Sequence, residues 1–212
     1  MNSNFIIDKK FTQPILDWVL NEDNRTKYIT DKPEHGGNVC ARDYLHTESD
    51  DLIKAKFPYV YLNELSREIL EYYRLPWDTP IEPNYGFLIC YSTKGHKVHE
   101  HSDANFNVEG PDKSLNEDLP HDHLDKVVHI RFNLLISKPE HGGNPIINGI
   151  EYDVKENELW RCNAGIDNHS TTTVISCDKP RVLLSFGYFI PLKTVKKQFI
   201  YKTYKKWKHG KK

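Results

Sequence analysis

His101-Ser-Asp103 sets an imidazole and a carboxylate at i and i+2. On a strand, side chains two apart leave from the same face, so this pair can grip one metal ion. A third ligand must come from elsewhere in the chain, and His169, in a later strand-like stretch, is the natural one. Two imidazoles and a carboxylate on one face of an octahedron leave three positions open, which is what iron(II) needs to take a chelating ligand and oxygen together. Twelve residues later, Arg181 opens Arg-Val-Leu-Leu-Ser-Phe-Gly-Tyr-Phe, with Arg181, Leu183 and Ser185 on one face and Val182, Leu184, Phe186 and Tyr188 on the other. A guanidinium on the ligand side would pair bidentately with a carboxylate, and Ser185 would add a hydrogen bond. The expected ligand therefore has a metal-chelating end and an anionic end.

Other residues compete for these roles. His123-Leu-Asp125, preceded by His121, repeats the His-x-Asp spacing. It sits in an acidic, Pro-containing stretch with no strand leading into it, so solvated loop residues are the expectation. His99 shares the parity of His101 and is expected to support the site or to be exposed. His129, Arg131 and Asn133 share one face of their strand, which either lines a cavity and touches cosubstrate or substrate, or is wet. His35 and His141 are expected at the surface, and Trp160 and Tyr188 in the core.

The elements that must position these groups follow from periodicity. Thr12 is expected to cap a helix with Pro14 in its first turn and Ile15, Leu16, Val19 and Leu20 as its apolar stripe, ending near Asn21. After a polar loop rich in His, Gly and Asp, a second helix is expected from about Tyr59 to Tyr73, with Leu62, Leu65, Ile69, Leu70 and Tyr73 on one side. From Tyr85 the period becomes two. Strands are predicted over Tyr85 to Tyr91, Val127 to Ile136, Glu158 to Cys162, His169 to Ser176 and Arg181 to Phe189, with a hairpin turn at Asn148-Gly149. The stretch from Ala104 to Lys126 has six acidic and two basic residues and no periodicity, and reads as a lid or a disordered loop. The peptide Lys-Pro-Glu-His-Gly-Gly-Asn occurs at 32–38 and again at 138–144, but its flanks differ and no structural repeat is expected.

Composition bounds the whole. The 212 residues are 38% hydrophobic and 28% charged, with 12 Tyr, 9 Phe and 4 Trp, enough core volume for one globular domain and too much for a disordered chain. No stretch approaches the roughly 20 apolar residues of a membrane span. The opening MNSNFIIDKK has no apolar run long enough for a secretory signal, so a soluble, cytoplasmic protein is expected. Cys40, Cys90, Cys162 and Cys177 show no C-x-x-C pairing and read as free thiols in a reducing compartment. The net charge of −1 hides an asymmetry: the stretch from Lys193 to Lys212 holds nine Lys and no acidic residue. Ile200, Tyr204 and Trp207 are at helical spacing there, so a packed helix with a wet basic face is expected ahead of a nucleic-acid contact.

Taken in order, Tyr91, Gly95, His101-x-Asp103, a long insertion, the strand to Ser137, Gly142-Gly143, Leu159-Trp160, His169 and Arg181 resemble the iron(II)- and 2-oxoglutarate-dependent oxygenases, nearest the prolyl-4-hydroxylase-like branch. The resemblance implies a mainly β, α+β chain with N-terminal helices and a double-stranded β-helix (jelly-roll, cupin-like) core. As one domain it would comprise a helical support region over 1–82, the core over 83–192 and the basic tail over 193–212. It implies that His101, Asp103 and His169 hold iron(II), and that Arg181, Tyr91, Ser185 and Asn133 hold 2-oxoglutarate, with ascorbate as a candidate reductant. The implied reaction hydroxylates an aliphatic C–H, with a peptidyl proline as the leading substrate, and releases succinate and CO2. In related halogenases a small residue replaces the carboxylate, so Asp103 favours hydroxylation. The alternatives are an oxygenase of a nucleobase or small metabolite, and a barrel that binds metal or ligand without turnover.

Overall fold

The computed structural model describes residues 5–28, 30–31, 39–43, 50–81, 86–103, 127–165, 167–175 and 179–191. The expectations for Tyr85, His35, the His121/His123/Asp125 group, the 104–126 stretch, Cys177 and the basic stretch 193–212 lie outside these residues, as does the side chain of Cys40.

The described elements run Phe5–Ile6 (β1), Lys9–Leu20 (α1), Glu22–Tyr28 (α2), Thr30–Asp31 (β2), Val39–Asp43 (β3), Asp50–Lys54 (α3), Tyr59–Tyr72 (α4), Phe87–Ser92 (β4), Val127–Ser137 (β5), Pro145–Ile147 (β6), Ile150–Glu151 (β7), Glu158–Cys162 (β8), His169–Thr171 (β9) and Arg181–Pro191 (β10). They form a seven-stranded antiparallel sheet in the order β1-β8-β5-β10-β4-β3-β2 and a three-stranded one in the order β7-β6-β9.

Strand β10 lies between β4 and β5, with Leu184 opposite Ile89 and Leu134, and Ser185 opposite Leu88 and Asn133. The pleat sends its side chains alternately to two cores. On one side Val182, Leu184, Phe186, Tyr188 and Ile190 join Phe87, Ile89, Ile130 and Phe132 beneath the helices. Helix α4 contributes Leu62, Leu65 and Ile69, all fully buried, each worth about 1.5–3 kcal/mol of burial. On the other side Leu183 packs with Cys90, Leu135, Val154 and Trp160, against Ile147 of the small sheet. This second side carries the polar residues of interest.

Several local expectations need correction. Helix α1 begins at Lys9 and is capped by Asp8, whose carboxylate accepts from the Lys10 backbone N–H at 3.0 Å. Thr12 and Pro14 thus lie inside the helix. The Thr12 hydroxyl instead donates to Asn157 Oδ1 at 2.7 Å, tying the helix to the turn before β8. Helix α2 has no apolar stripe, which hid it. Asn21 Oδ1 accepts from the Asn24 N–H at its start, and Glu22 and Asp23 precede Arg25 and Lys27 in the favourable order for its dipole. Strand β3, in the polar segment read as loop, forms because β4 offers it a free edge, pairing Val39 to Asp43 with Tyr91 to Phe87.

Other expectations hold. Helix α4 and strands β5, β8 and β10 lie within a residue or two of their predicted bounds. The Asn148-Gly149 turn joins β6 to β7 with φ of 51° and 76°, the left-handed pair of a type I′ hairpin. Cys90 and Cys162 are buried free thiols. No helix among the described residues is long and apolar enough to cross a membrane.

Candidate metal centre and anion pocket

Beyond β4 the chain turns at Thr93–His96, where Gly95 takes φ of 86°, and then runs antiparallel to residues 164–174. The Val174 N–H donates to His96 O, the Thr171 N–H to Val98 O, and the Asp103 N–H to Ala164 O at 2.7 Å. Within this ladder His101 and His169 face each other, each backbone N–H donating to the other's carbonyl at 3.1 and 2.8 Å. Directly paired residues share a face, and the two rings stand with centroids 4.3 Å apart. Asp103 follows two residues on and joins them.

The three side chains offer ligand atoms within 4.8 Å of one another. Asp103 Oδ1 lies 3.5 Å from His101 Nε2 and 3.6 Å from His169 Nε2. Each ring's other nitrogen is tied to backbone: His101 Nδ1 to His99 O at 2.8 Å and His169 Nδ1 to Asp167 O at 3.0 Å. A carbonyl only accepts, so both Nδ1 atoms carry a proton, and both Nε2 atoms turn toward Asp103. Two inward Nε2 atoms beside a carboxylate, their Nδ1–H groups held by backbone, fit a first-row divalent metal of the iron(II) class, which would displace any proton on Nε2.

The charges are set by the neighbours. Burial alone would raise the Asp103 pKa, but the adjacent His101 ring and the Arg131, His129 and His169 side chains outweigh it and hold the carboxyl well below its usual range. His101, beside that carboxylate, is pushed up, whereas burial pushes His169 down. His129, on β5, is pushed down to about 3, mainly by burial and then by Arg131. It is neutral at physiological pH, with Nδ1 3.7 Å from Asp103 Oδ2 and neither ring nitrogen hydrogen-bonded among the described residues.

For Arg131 the expectation is a strand face that lines a cavity and touches cosubstrate or substrate, or is wet; a contact with Asp103 is not part of it. Arg131 is buried, and its Nε–H donates to Asp103 Oδ2 at 2.9 Å while Nη1 reaches Ser185 Oγ at 3.5 Å. The signal available in the sequence was its in-phase placement between His129 and Asn133, which does not say what a side chain on another sheet will meet.

Arg181 is 2% exposed at the start of β10 and donates from Nε to Gly143 O at 2.7 Å. A Cβ at Gly143 would lie 2.8 Å from Arg181 Cδ, and one at Gly142 would lie 1.9 Å from Thr173 O. The Gly142-Gly143 pair is therefore a close approach of backbone around the guanidinium stem. Ser185 and Asn133, opposite each other, lie on the Arg181 face. Tyr91 is not brought to this group. It pairs with Val182, so its ring leaves from the helix side, where it packs on the main core under the Arg25 guanidinium, 5.0 Å away. Alternation, not proximity in sequence, decides its face. His99 is exposed and its carbonyl accepts from His101 Nδ1, and His141 is exposed as expected. Trp160 and Tyr188 are core residues.

No family model matches the sequence, and no curated protein matches it. Solved structures do. The viral collagen prolyl hydroxylase of Paramecium bursaria Chlorella virus-1, in its 2OG complex, superposes with a TM-score of 0.51 at 10% identity, covering 86% of this chain and 91% of that one. A Pseudomonas putida prolyl-4-hydroxylase gives 0.55 at 13% identity, covering 89% and 90%. The Trichoplax adhaerens prolyl hydroxylase, in complex with a hypoxia inducible factor peptide fragment, gives 0.56 at 13% identity, covering 91% and 83%. The chain thus shares its overall fold with these three structures over most of its length.

Proposed function

We propose that this chain is a non-haem iron(II)- and 2-oxoglutarate-dependent dioxygenase that hydroxylates an aliphatic C–H, with a peptidyl proline as its leading substrate, and that its two sheets are the halves of a double-stranded β-helix. The observation that carries this is the convergence of His101, Asp103 and His169 with both Nε2 atoms directed inward. When bound there, iron(II) and 2-oxoglutarate supply the oxidising chemistry, with succinate and CO2 as co-products. The chain's own part is to hold them. His101 and His169 would present Nε2 to the metal because backbone carbonyls keep Nδ1 as the N–H donor. Asp103 stays ionised under the charges around it. Arg181, its stem fixed by Gly143 O, offers a guanidinium to the far carboxylate of the diacid, with Ser185 and Asn133 on the same face of the sheet. The peptide bound by the Trichoplax neighbour supports a peptide substrate, since this chain shares that fold across most of its length.

The test is anaerobic titration of the apoprotein with iron(II) and 2-oxoglutarate, following the weak visible charge-transfer band of the chelate. The wild type should develop the band, Asp103→Ala should lose or displace it, and Arg181→Ala should need at least tenfold more 2-oxoglutarate. A folded wild type with no band refutes the oxygenase reading and leaves a ligand-binding barrel. Proline peptides that stimulate no succinate release in a band-forming enzyme refute the substrate while sparing the class.

A further inference from the structure

Given the metal site proposed above, we infer that Arg131 is the positioning residue that confines Asp103 to one-oxygen ligation and so keeps three coordination positions open. The two carboxylate oxygens face different partners. Oδ1 looks to the two Nε2 atoms, at 3.5 and 3.6 Å, whereas Oδ2 accepts from Arg131 Nε at 2.9 Å and has His129 Nδ1 at 3.7 Å. An unrestrained carboxylate beside a divalent ion can swing to bind through both oxygens, which would fill a fourth of six positions. A charge-assisted hydrogen bond to Oδ2 opposes that swing, because Oδ2 would have to leave its donor in a partly buried site.

Arg131 is itself held. It lies mid-strand on β5, between Cys162 on one neighbouring strand and Gly187 on the other, and Gly187 puts no side chain beside its stem. Its Nη1 meets Ser185 at 3.5 Å. A purely structural guanidinium could satisfy itself against any buried acceptor. This one reaches from the large sheet to the Asp103 oxygen that the two ligand histidines, His101 and His169, do not face.

The Nε–H is attached to Cδ, as is Nε2 of a glutamine, so Arg131→Gln keeps a donor near the same point without the charge, and Arg131→Met keeps the length without a donor. With Mn(II) as probe, water-proton relaxation counts the rapidly exchanging waters on the bound ion. Wild type and R131Q should each show three, and R131M two, at saturating protein. Three waters in folded R131M, or two in the wild type, overturns the inference while leaving the metal site intact. A wild type that does not bind Mn(II) at all overturns the site and the inference together. A second readout needs no variant: in wild-type protein loaded with Zn(II), the Arg131 Nε–H resonance should remain slowly exchanging, and its loss to fast exchange on loading would equally overturn the role.

Discussion

Gly143 shows how much of this site is decided atom by atom. At φ of 73° its backbone is in the left-handed region, and its missing Cβ is where the Arg181 stem passes, with 2.8 Å to Cδ. Alanine there would incur about 1–2 kcal/mol of backbone strain and would push the guanidinium from its seat on Gly143 O. Gly143→Ala should therefore lower stability by about that amount in urea denaturation and weaken 2-oxoglutarate binding. Mn(II) affinity should stay within about twofold, because the three ligands lie on other segments; equal losses of both affinities would mean that the turn supports the metal ligands as well.

Helix α4 and strand β10 are joined by more than apolar packing. Tyr188 sends its hydroxyl through the core to Ser66 Oγ at 2.8 Å, both groups fully buried. An unsatisfied buried hydroxyl costs about 1–3 kcal/mol, whereas removing both partners leaves a smaller defect. Ser66→Ala should thus cost about 1–3 kcal/mol, and adding Tyr188→Phe should recover part of the loss, a coupling that a double-mutant cycle in urea reads directly. Additive single effects would show that the bond contributes nothing beyond packing. Because β10 also begins with Arg181, a helix on the far side of the sheet helps fix the strand that carries the anion-binding residue.

For the molecule as a whole, burial on both faces of the large sheet ties stability to pH on the alkaline side. The Cys162 thiol is pushed up to about 12 by burial, and the Tyr188 hydroxyl likewise to about 12. Below about pH 8 both groups are largely protonated in the folded and unfolded chain alike and pH has little leverage through them. Above it the unfolded chain releases the Cys162 proton while the folded chain retains it, so stability falls as pH rises, by up to about 1.4 kcal/mol per pH unit for that group. Tyr188 adds its share above pH 10. Urea midpoints taken at about pH 8, 9.5 and 10.5 should fall in that order, and Cys162→Ala should flatten the first step. A midpoint independent of pH would mean that the thiol is reached by solvent.

What the sequence determined by itself is what alternation and local chemistry encode. The period of two in Val127–Ser137 and Arg181–Pro191 sorts residues between two cores, and the spacing of His101 and Asp103 puts both on one face. An amphipathic stripe is enough to define α4. The tertiary structure decided everything that depends on which strand lies beside which. Strand β3 is made by the edge of β4, and Tyr91 is turned to the helix side by its pairing with Val182. Arg131 meets Asp103 only because β5 faces the 95–103 segment across the interior, and Gly143 meets Arg181 across a similar gap. Side-chain direction along one strand is a local property with a fixed period, whereas contact between sheets is set by the path of the whole chain.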